Sequence, residues 1–427
     1  MKLHKILHIL RKKEYRRVLE NIISLSSLQI AGYLLPLITL PYLVRVLGPE
    51  RYGLIAFATA LVFYFVILTN YGFNLSATRE ISICREDPGK VSEIFSSVLF
   101  IKFMLMLLSF LILTVVVLGV EQFRAEWLVY FFSFGMVVGN VLFPVWFFQG
   151  IEKMKYITVL NVLAQAIFTV SVFIFIRTTA DYLYVPLINS VGFLVAGLLG
   201  LRIALKDYHI QLKIPDGELF KHHLQEGWHI FLSSAAVTLY TTSNIFILGV
   251  LTNNVVVSYY AVAEKVVLAV LGLLNPLSQA LFPHISRVVD ESHKKGVQFL
   301  RQITKIMIGI GLSLSLLLFV FSPLIVNILF GDQYTPAIMV LRILAFLPLI
   351  VGLSNVFGIQ TMIPLNYERA LSRIVLAAGG INILLALVLV PLFQEVGTAL
   401  SFLTAETFLT LTMFLFLQRK GIKMIGA

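Results

Sequence analysis

The groups that could do chemistry in this chain are sparse, and their positions argue against catalysis. Eight histidines (His4, His8, His209, His222, His223, His229, His284 and His293) fall in a basic N-terminal tail, in polar connections or at the ends of apolar runs. None stands at a spacing that would pair it with a nucleophile or make it a metal ligand. Cys84 is the only cysteine, which excludes a disulfide within the chain and a Cys/His metal site. The Gly89-Lys90 pair lacks the Walker pattern of a nucleotide site. The sequence therefore predicts no catalytic residue, no metal and no cofactor.

The informative groups are polar residues inside apolar runs. A charge at the centre of a membrane helix costs about 2.5–3.5 kcal/mol on insertion scales, so such a group faces a bundle interior or a wet cavity. Lys265, Arg342, Glu264 and Glu406 are of this kind. Each fits either a cavity wall or an interhelical salt bridge or snorkelling side chain. Glu264 and Lys265 are adjacent, so on a helix they point about 100° apart and do not form a face-to-face pair. Arg45 stands where the first apolar run stops, suited either to an anionic group at the mouth or simply to ending a helix. Asn161 and Gln165 recur at i,i+4, as do Asn275 and Gln279, and Ser234, Thr238, Thr241 and Asn244 make a polar stripe on one helical face. Such amides and hydroxyls line a sugar-sized cavity or bond between helices.

The elements that would hold these groups are membrane helices. The 427 residues are 59% hydrophobic and 13% charged, against roughly 25% charged in a soluble domain. Apolar runs of about 20 residues recur, and in a bilayer without water these must be helices. The alternation of an outer-membrane barrel is absent. We count about twelve such runs. They divide into a segment 1–20, a six-helix lobe over 21–205, a linker 206–227, a second six-helix lobe over 228–417 and a tail 418–427. Prolines interrupt several runs, at Pro36, Pro41, Pro144, Pro276, Pro323 and Pro348.

The net charge of +11 is distributed one-sidedly. About 25 of the 33 Lys and Arg fall in the N-terminal tail, alternate connections and the C-terminal tail, while the opposite connections hold only Arg45, Arg51, Arg124 and Arg177. The positive-inside rule then puts both termini in the cytoplasm. Topology and membrane lipid explain the basic charge without nucleic acid. The run behind residues 1–20 is too long for a signal-peptide core, so that segment is expected to be retained. A faint internal repeat relates Tyr52-Gly53-Leu54-Ile55-Ala56-Phe57-Ala58 to Val257-Ser258-Tyr259-Tyr260-Ala261-Val262-Ala263, and Ser26-Ser27 to Ser233-Ser234. Six spans per half would make two parallel bundles with a site between them.

Five segments carry a resemblance to a known family: Leu35 to Gly53, Asn70 to Thr78, Phe143 to Lys155, Leu274 to Pro283, and Leu353 to Gln360. Together they resemble the O-antigen lipid flippases (Wzx type) of the polysaccharide transporter family. That family belongs to the multidrug/oligosaccharidyl-lipid/polysaccharide exporter superfamily. The resemblance implies an all-α membrane protein with a MATE-like pseudo-twofold pair of six-helix lobes. It implies transport of undecaprenyl-diphosphate-linked O-antigen repeat units across the bacterial inner membrane by alternating access. It also implies membrane lipid as partner, with the protein acting alone or assembled with the O-antigen polymerase and chain-length regulator. In that setting Arg45, Lys265 and Arg342 are candidates to neutralise diphosphate or acidic sugars. Asn161, Gln165, Asn244, Asn275 and Gln279 are candidates to contact sugar rings. Glu406 and Glu264 are candidate protonation sites for ion coupling. The alternatives are a drug/cation antiporter of the same superfamily and a membrane enzyme such as an O-antigen polymerase or ligase. The short outside loops count against the enzyme.

Overall fold

The computed structural model describes residues 13–213 and 217–424; the side chains of 13–34, 36 and 233–241, of Asn275 and Gln279, and of several neighbours lie outside the described set. The described residues are helical almost throughout, with no strand. In order they form α1 (Lys13–Asn70), α2 (Phe73–Cys84), α3 (Pro88–Gly119), α4 (Glu121–Arg124), α5 (Trp127–Leu142), α6 (Val145–Gly150), α7 (Met154–Phe175) and α8 (Tyr184–Asp207). There follow α9 (Gly217–Leu251), α10 (Asn254–Gly272), α11 (Asn275–Glu291), α12 (His293–Leu329), α13 (Ala337–Leu344), α14 (Leu347–Phe357) and α15 (Glu368–Arg419).

Nine described helices are long and apolar enough to cross a membrane, where the sequence suggested about twelve runs. Two of the continuous helices far exceed the roughly 20 residues one crossing needs, and each breaks inside. The backbone of α1 leaves the helical region at Gly48 (φ 73°), and that of α15 at Gln394 (φ 50°). Gly48 sits before Pro49, and a left-handed φ there is cheap because glycine has no Cβ.

Three of the prolines noted above mark other breaks. Pro144 falls between α5 and α6, while Pro276 and Pro348 stand in the first turns of α11 and α14. A proline is tolerated there because the first turn has no N–H partner to lose. Pro323, by contrast, lies inside an unbroken α12. After α14 the chain makes a π-turn over Gly358–Met362, a local widening of the helix often found at functional positions.

The core is joined at one end of the molecule and split at the other. At the end carrying Gly48, one apolar cluster draws on both halves, uniting Leu43, Val44, Leu47 and Phe57 with Val257, Tyr260, Phe330, Tyr334 and Leu341. At the end carrying Gly72 there are two separate clusters. One is built round Phe73, Phe95, Trp146 and Phe148, the other round Ile285, Leu300, Phe357 and Met413. The start of α9 belongs with the first of these, since Phe220, Leu224 and Phe231 pack on it.

A small polar loop closes the α7–α8 connection. The Asp181 carboxylate accepts from the backbone N–H groups of Arg177 (3.0 Å) and Thr178 (2.8 Å) and from the Thr178 hydroxyl (3.0 Å). The Arg177 and Thr178 N–H groups, with the Thr178 hydroxyl, hold this exposed carboxyl below its ordinary range. A depressed carboxyl contributes stability above its unfolded pKa and loses it as pH falls through the folded value. Hydrogen exchange at 177–183 should therefore stay slow through mildly acidic pH and quicken only below the usual carboxylate range. Asp181→Asn should exchange faster at neutral pH, and an unchanged rate would remove this role.

Candidate functional site between the two halves

The contact between halves at the Gly48 end is made by backbone. A Cβ placed on Gly53 would lie 1.7 Å from the carbonyl oxygen of Asn254, so α1 and α10 meet where a single hydrogen allows it. Gly249 of α9 likewise sits against the Phe57 ring, at 2.2 Å from a built Cβ. Around this contact Ser258 donates to the Tyr334 hydroxyl (3.1 Å), and Tyr334 donates in turn to the Val44 carbonyl (3.5 Å). The stretches that carried the faint repeat, 52–58 and 257–263, thus face each other across the junction.

Arg45 reinforces this seal. Its Nε donates to the carbonyl of Leu329 at 3.2 Å, and Nη2 donates to that of Ile328. These are last-turn carbonyls of α12, which lack intrahelical partners and carry the negative end of the helix dipole. The first half therefore caps a helix of the second. Arg45→Gln should weaken the seal by about 1.5–3 kcal/mol, the worth of a charge-assisted hydrogen bond. Labelling of a cysteine placed at Val257, in a Cys84→Ser background, should then quicken about tenfold or more. An unchanged rate would show that the seal does without Arg45.

The other candidates occupy several places. Lys265 is exposed on α10 and Glu264 beside it is half-buried, its carboxyl a neighbour of the Tyr260 hydroxyl. Arg342 is half-buried within the second half, with Nε on the Ser322 hydroxyl at 3.2 Å and its guanidinium 5.7 Å from the Phe319 ring centroid. Glu406 is buried on α15. Asn244, fully buried, accepts from Asn382 Nδ2 at 3.0 Å, tying α9 to α15. Asn161 and Gln165 are half-buried on α7, and the Gln165 Oε1 is buried without a hydrogen-bond partner. The side chains of Asn275 and Gln279, like those of Ser234, Thr238 and Thr241, lie outside the described residues. The structure thus brings Glu264 and Asn244 together around Tyr260, while Arg45 and Arg342 are engaged elsewhere.

One charged residue escaped selection from the sequence. Lys102, 1% exposed, lies inside the first half with Nζ 3.3 Å from Asn70 Oδ1 and 3.2 Å from the Asn140 carbonyl. In a continuing helix that carbonyl would accept from the N–H of residue 144, but Pro144 has none. Lys102 supplies the missing donor. The lone charge in the apolar run 97–118, and the proline four residues after Asn140, were the available signals.

Four of the resembling segments also meet in space, in two pairs. Thr78 donates to the Trp146 carbonyl at 3.1 Å, joining 70–78 to 143–155. Ser278 donates to Asn355 Oδ1 at 2.7 Å, and Gln360 Nε2 donates to Ser278 Oγ at 2.8 Å, joining 274–283 to 353–360.

A fold of this kind is found in membrane transporters. The structure superimposes on the lipid II flippase MurJ in an inward closed conformation with a TM-score of 0.71, at 15% identity, covering 93% of this chain and 87% of that one. It matches a multidrug resistance MATE family transporter of the MOP superfamily, in an inward-facing conformation, with a TM-score of 0.68 at 14% identity over 90% and 94% of the two chains. The chain is an all-α, multi-pass membrane protein of this MATE-like architecture.

Residues 18–289 match the family described as "Polysaccharide biosynthesis protein", and the chain belongs to that family. It is 36% identical over 402 residues to the "Putative O-antigen transporter" of Escherichia coli (strain K12), covering 94% of this chain and 97% of that protein. It is 28% identical over 396 residues to the protein of the same name from Shigella dysenteriae, covering 92% and 98%. The resemblance to O-antigen transporters drawn from the five segments is borne out, and these relatives are named as transporters rather than enzymes.

Proposed function

We propose that this protein is a flippase that moves undecaprenyl-diphosphate-linked O-antigen repeat units from the cytoplasmic to the periplasmic leaflet of the bacterial inner membrane. The observation that carries the proposal is the core fused at the Gly48 end and divided at the Gly72 end. The charge bias assigns the divided end, and both termini, to the cytoplasm. An opening there suits a protein that loads from the inner leaflet. Rocking the lobes, 21–205 and 228–417, about the junction would open the other face, as alternating access requires.

The cargo sets the physical problem. Its sugars and diphosphate cannot cross hydrocarbon unaided, while its polyprenyl tail can stay in lipid. A wet space between the halves would carry the head. Lys265, exposed on α10, would meet its negative charge, and the Asn244 region would offer amide hydrogen bonds. Glu264 and Glu406 are the groups through which an ion gradient would act. Partners would be the lipid-linked oligosaccharide and membrane lipid, with the polymerase and chain-length regulator receiving the product.

A clean deletion tests the proposal. We expect loss of O-antigen on a lipopolysaccharide gel, with lipid-linked repeat units trapped on the cytoplasmic side and no catalytic product missing upstream. Normal O-antigen in a strain with no second flippase would sink it. In that case the drug/cation antiporter, which the shared MATE-like fold also accommodates, becomes the working assignment.

A further inference from the structure

We propose that a groove between α9 and Tyr71 is the loading site for the phosphate-linked saccharide head of the cargo, an assignment that rests on the flippase function proposed above. The groove has a volume of about 500 Å³ and is lined by Tyr71, Lys221, Leu224, Gln225 and Trp228. The four α9 residues recur at i, i+3, i+4 and i+7, so they form one stripe down a helix face. Lys221, Gln225 and Trp228 are exposed, whereas their neighbours His223 and Gly227 are buried against the first half.

The wall is built rather than incidental. Tyr71 leaves the helical backbone region at φ 42° and is itself buried, with its ring 6.4 Å from Trp228 and 5.0 Å from Phe231. A Cβ on Gly227 would stand 2.9 Å from the Tyr71 ring, so glycine lets the helix press against it. His223 Nδ1 lies 3.3 Å from the Glu80 carboxylate, fixing the first turns of α9 to α2. Further along, α9 reaches the joined core through Leu248. It leads into the second half, yet it begins on the first half's own cluster and ends in the cluster both halves share. A head group in the groove therefore sits at the edge of the divided end, where loading must begin.

The lining chooses the ligand class. A lysine ammonium attracts a phosphate, a glutamine amide pairs with hydroxyls, and an exposed indole face covers the apolar face of a sugar ring. An ordinary anionic phospholipid offers a phosphate for Lys221 but no ring for Trp228. The alternative role for Trp228, an anchor in the interfacial aromatic belt, requires neither Lys221 nor Gln225.

The test uses the full chain in nanodiscs of phosphatidylethanolamine, with three probes: a farnesyl-diphosphate-linked disaccharide, farnesyl diphosphate alone, and phosphatidylglycerol added to the disc. The parent protein should bind the disaccharide probe. Lys221→Gln should weaken binding of both diphosphate probes about tenfold, as expected for a lost charge-assisted bond. Trp228→Leu should weaken the disaccharide probe by about as much and leave farnesyl diphosphate unaffected, as expected for a stacking contact. Gln225→Ala should behave as Trp228→Leu does, more mildly. All three positions are exposed, and unchanged melting temperatures would show that the variants fold. If the parent binds and every variant binds equally well, the groove is not the loading site and the flippase assignment stands. If the parent binds neither diphosphate probe, the flippase assignment falls as well. If phosphatidylglycerol displaces the disaccharide probe at equal concentration, the groove reads a lipid phosphate and the saccharide assignment is overturned.

Discussion

Gly53→Ala is expected to abolish O-antigen export while leaving the protein in the membrane. The added methyl would have to sit 1.7 Å from a backbone oxygen of Asn254, and a backbone atom cannot rotate away as a side chain can. Overpacking in adaptable cores costs about 1–3 kcal/mol, and this position belongs at the upper end. Alanine gains about 1 kcal/mol over glycine as a helix former, which stabilises the isolated helix and does nothing for the junction. A net shift of roughly 2–3 kcal/mol would depopulate the arrangement closed at this end by about 30- to 150-fold. The reporter is the cysteine at Val257, a position fully buried in the joined core. Its labelling by an impermeant maleimide should rise steeply in Gly53→Ala. Slow labelling with a full O-antigen ladder would show that the halves separate and rejoin elsewhere.

Lys102→Met should destabilise the first half by about 2 kcal/mol, seen as a lower melting temperature of the purified protein. Two effects compete. Removing a buried ammonium relieves a desolvation cost of several kcal/mol per ion. Against that, the Asn140 carbonyl and Asn70 Oδ1 lose their donor, and each unsatisfied buried group costs about 1–3 kcal/mol. The second effect should win because Pro144 leaves the carbonyl no substitute from its own helix. The decisive comparison is the pair with Pro144→Ala, which gives residue 144 an N–H. In that background Lys102→Met should cost about 1 kcal/mol less, a coupling that a double-mutant cycle resolves. Equal losses in both backgrounds would detach Lys102 from the helix break.

These two residues also show what a sequence can and cannot disclose about such a chain. The apolar runs and their one-sided charge were legible because they are local or additive. So were the prolines that end helices, although sequence did not separate Pro144, Pro276 and Pro348, which stand at breaks, from Pro323, which does not. Lys102 stands out as the one charge in the apolar run 97–118, but its partners are 32 and 38 residues away, so its task had to come from the fold. Arg45 was visible as a cation at the end of a run, but its acceptors are 283 and 284 residues distant, so its role as a cap on α12 had to come from the fold. The same holds for Asn244, which the polar stripe picked out and the structure joins to Asn382. Polarity at membrane depth finds residues with a task, and long-range packing decides whether the task is sealing, capping or meeting cargo.

At the junction the two halves touch through a glycine and a peptide carbonyl, so the pivot proposed above would be set by main chain, while the surfaces facing the divided end are set by side chains. Under that proposal, cargo preference would drift by ordinary point substitutions along those surfaces without rebuilding the hinge. A chimera of this chain and a relative, spliced between α8 and α9, should still rock provided the residue at position 53 is a glycine, with its preference following whichever half supplies the saccharide contacts. Two lineages with unlike surface polysaccharides would then differ in their walls and share one mechanical joint.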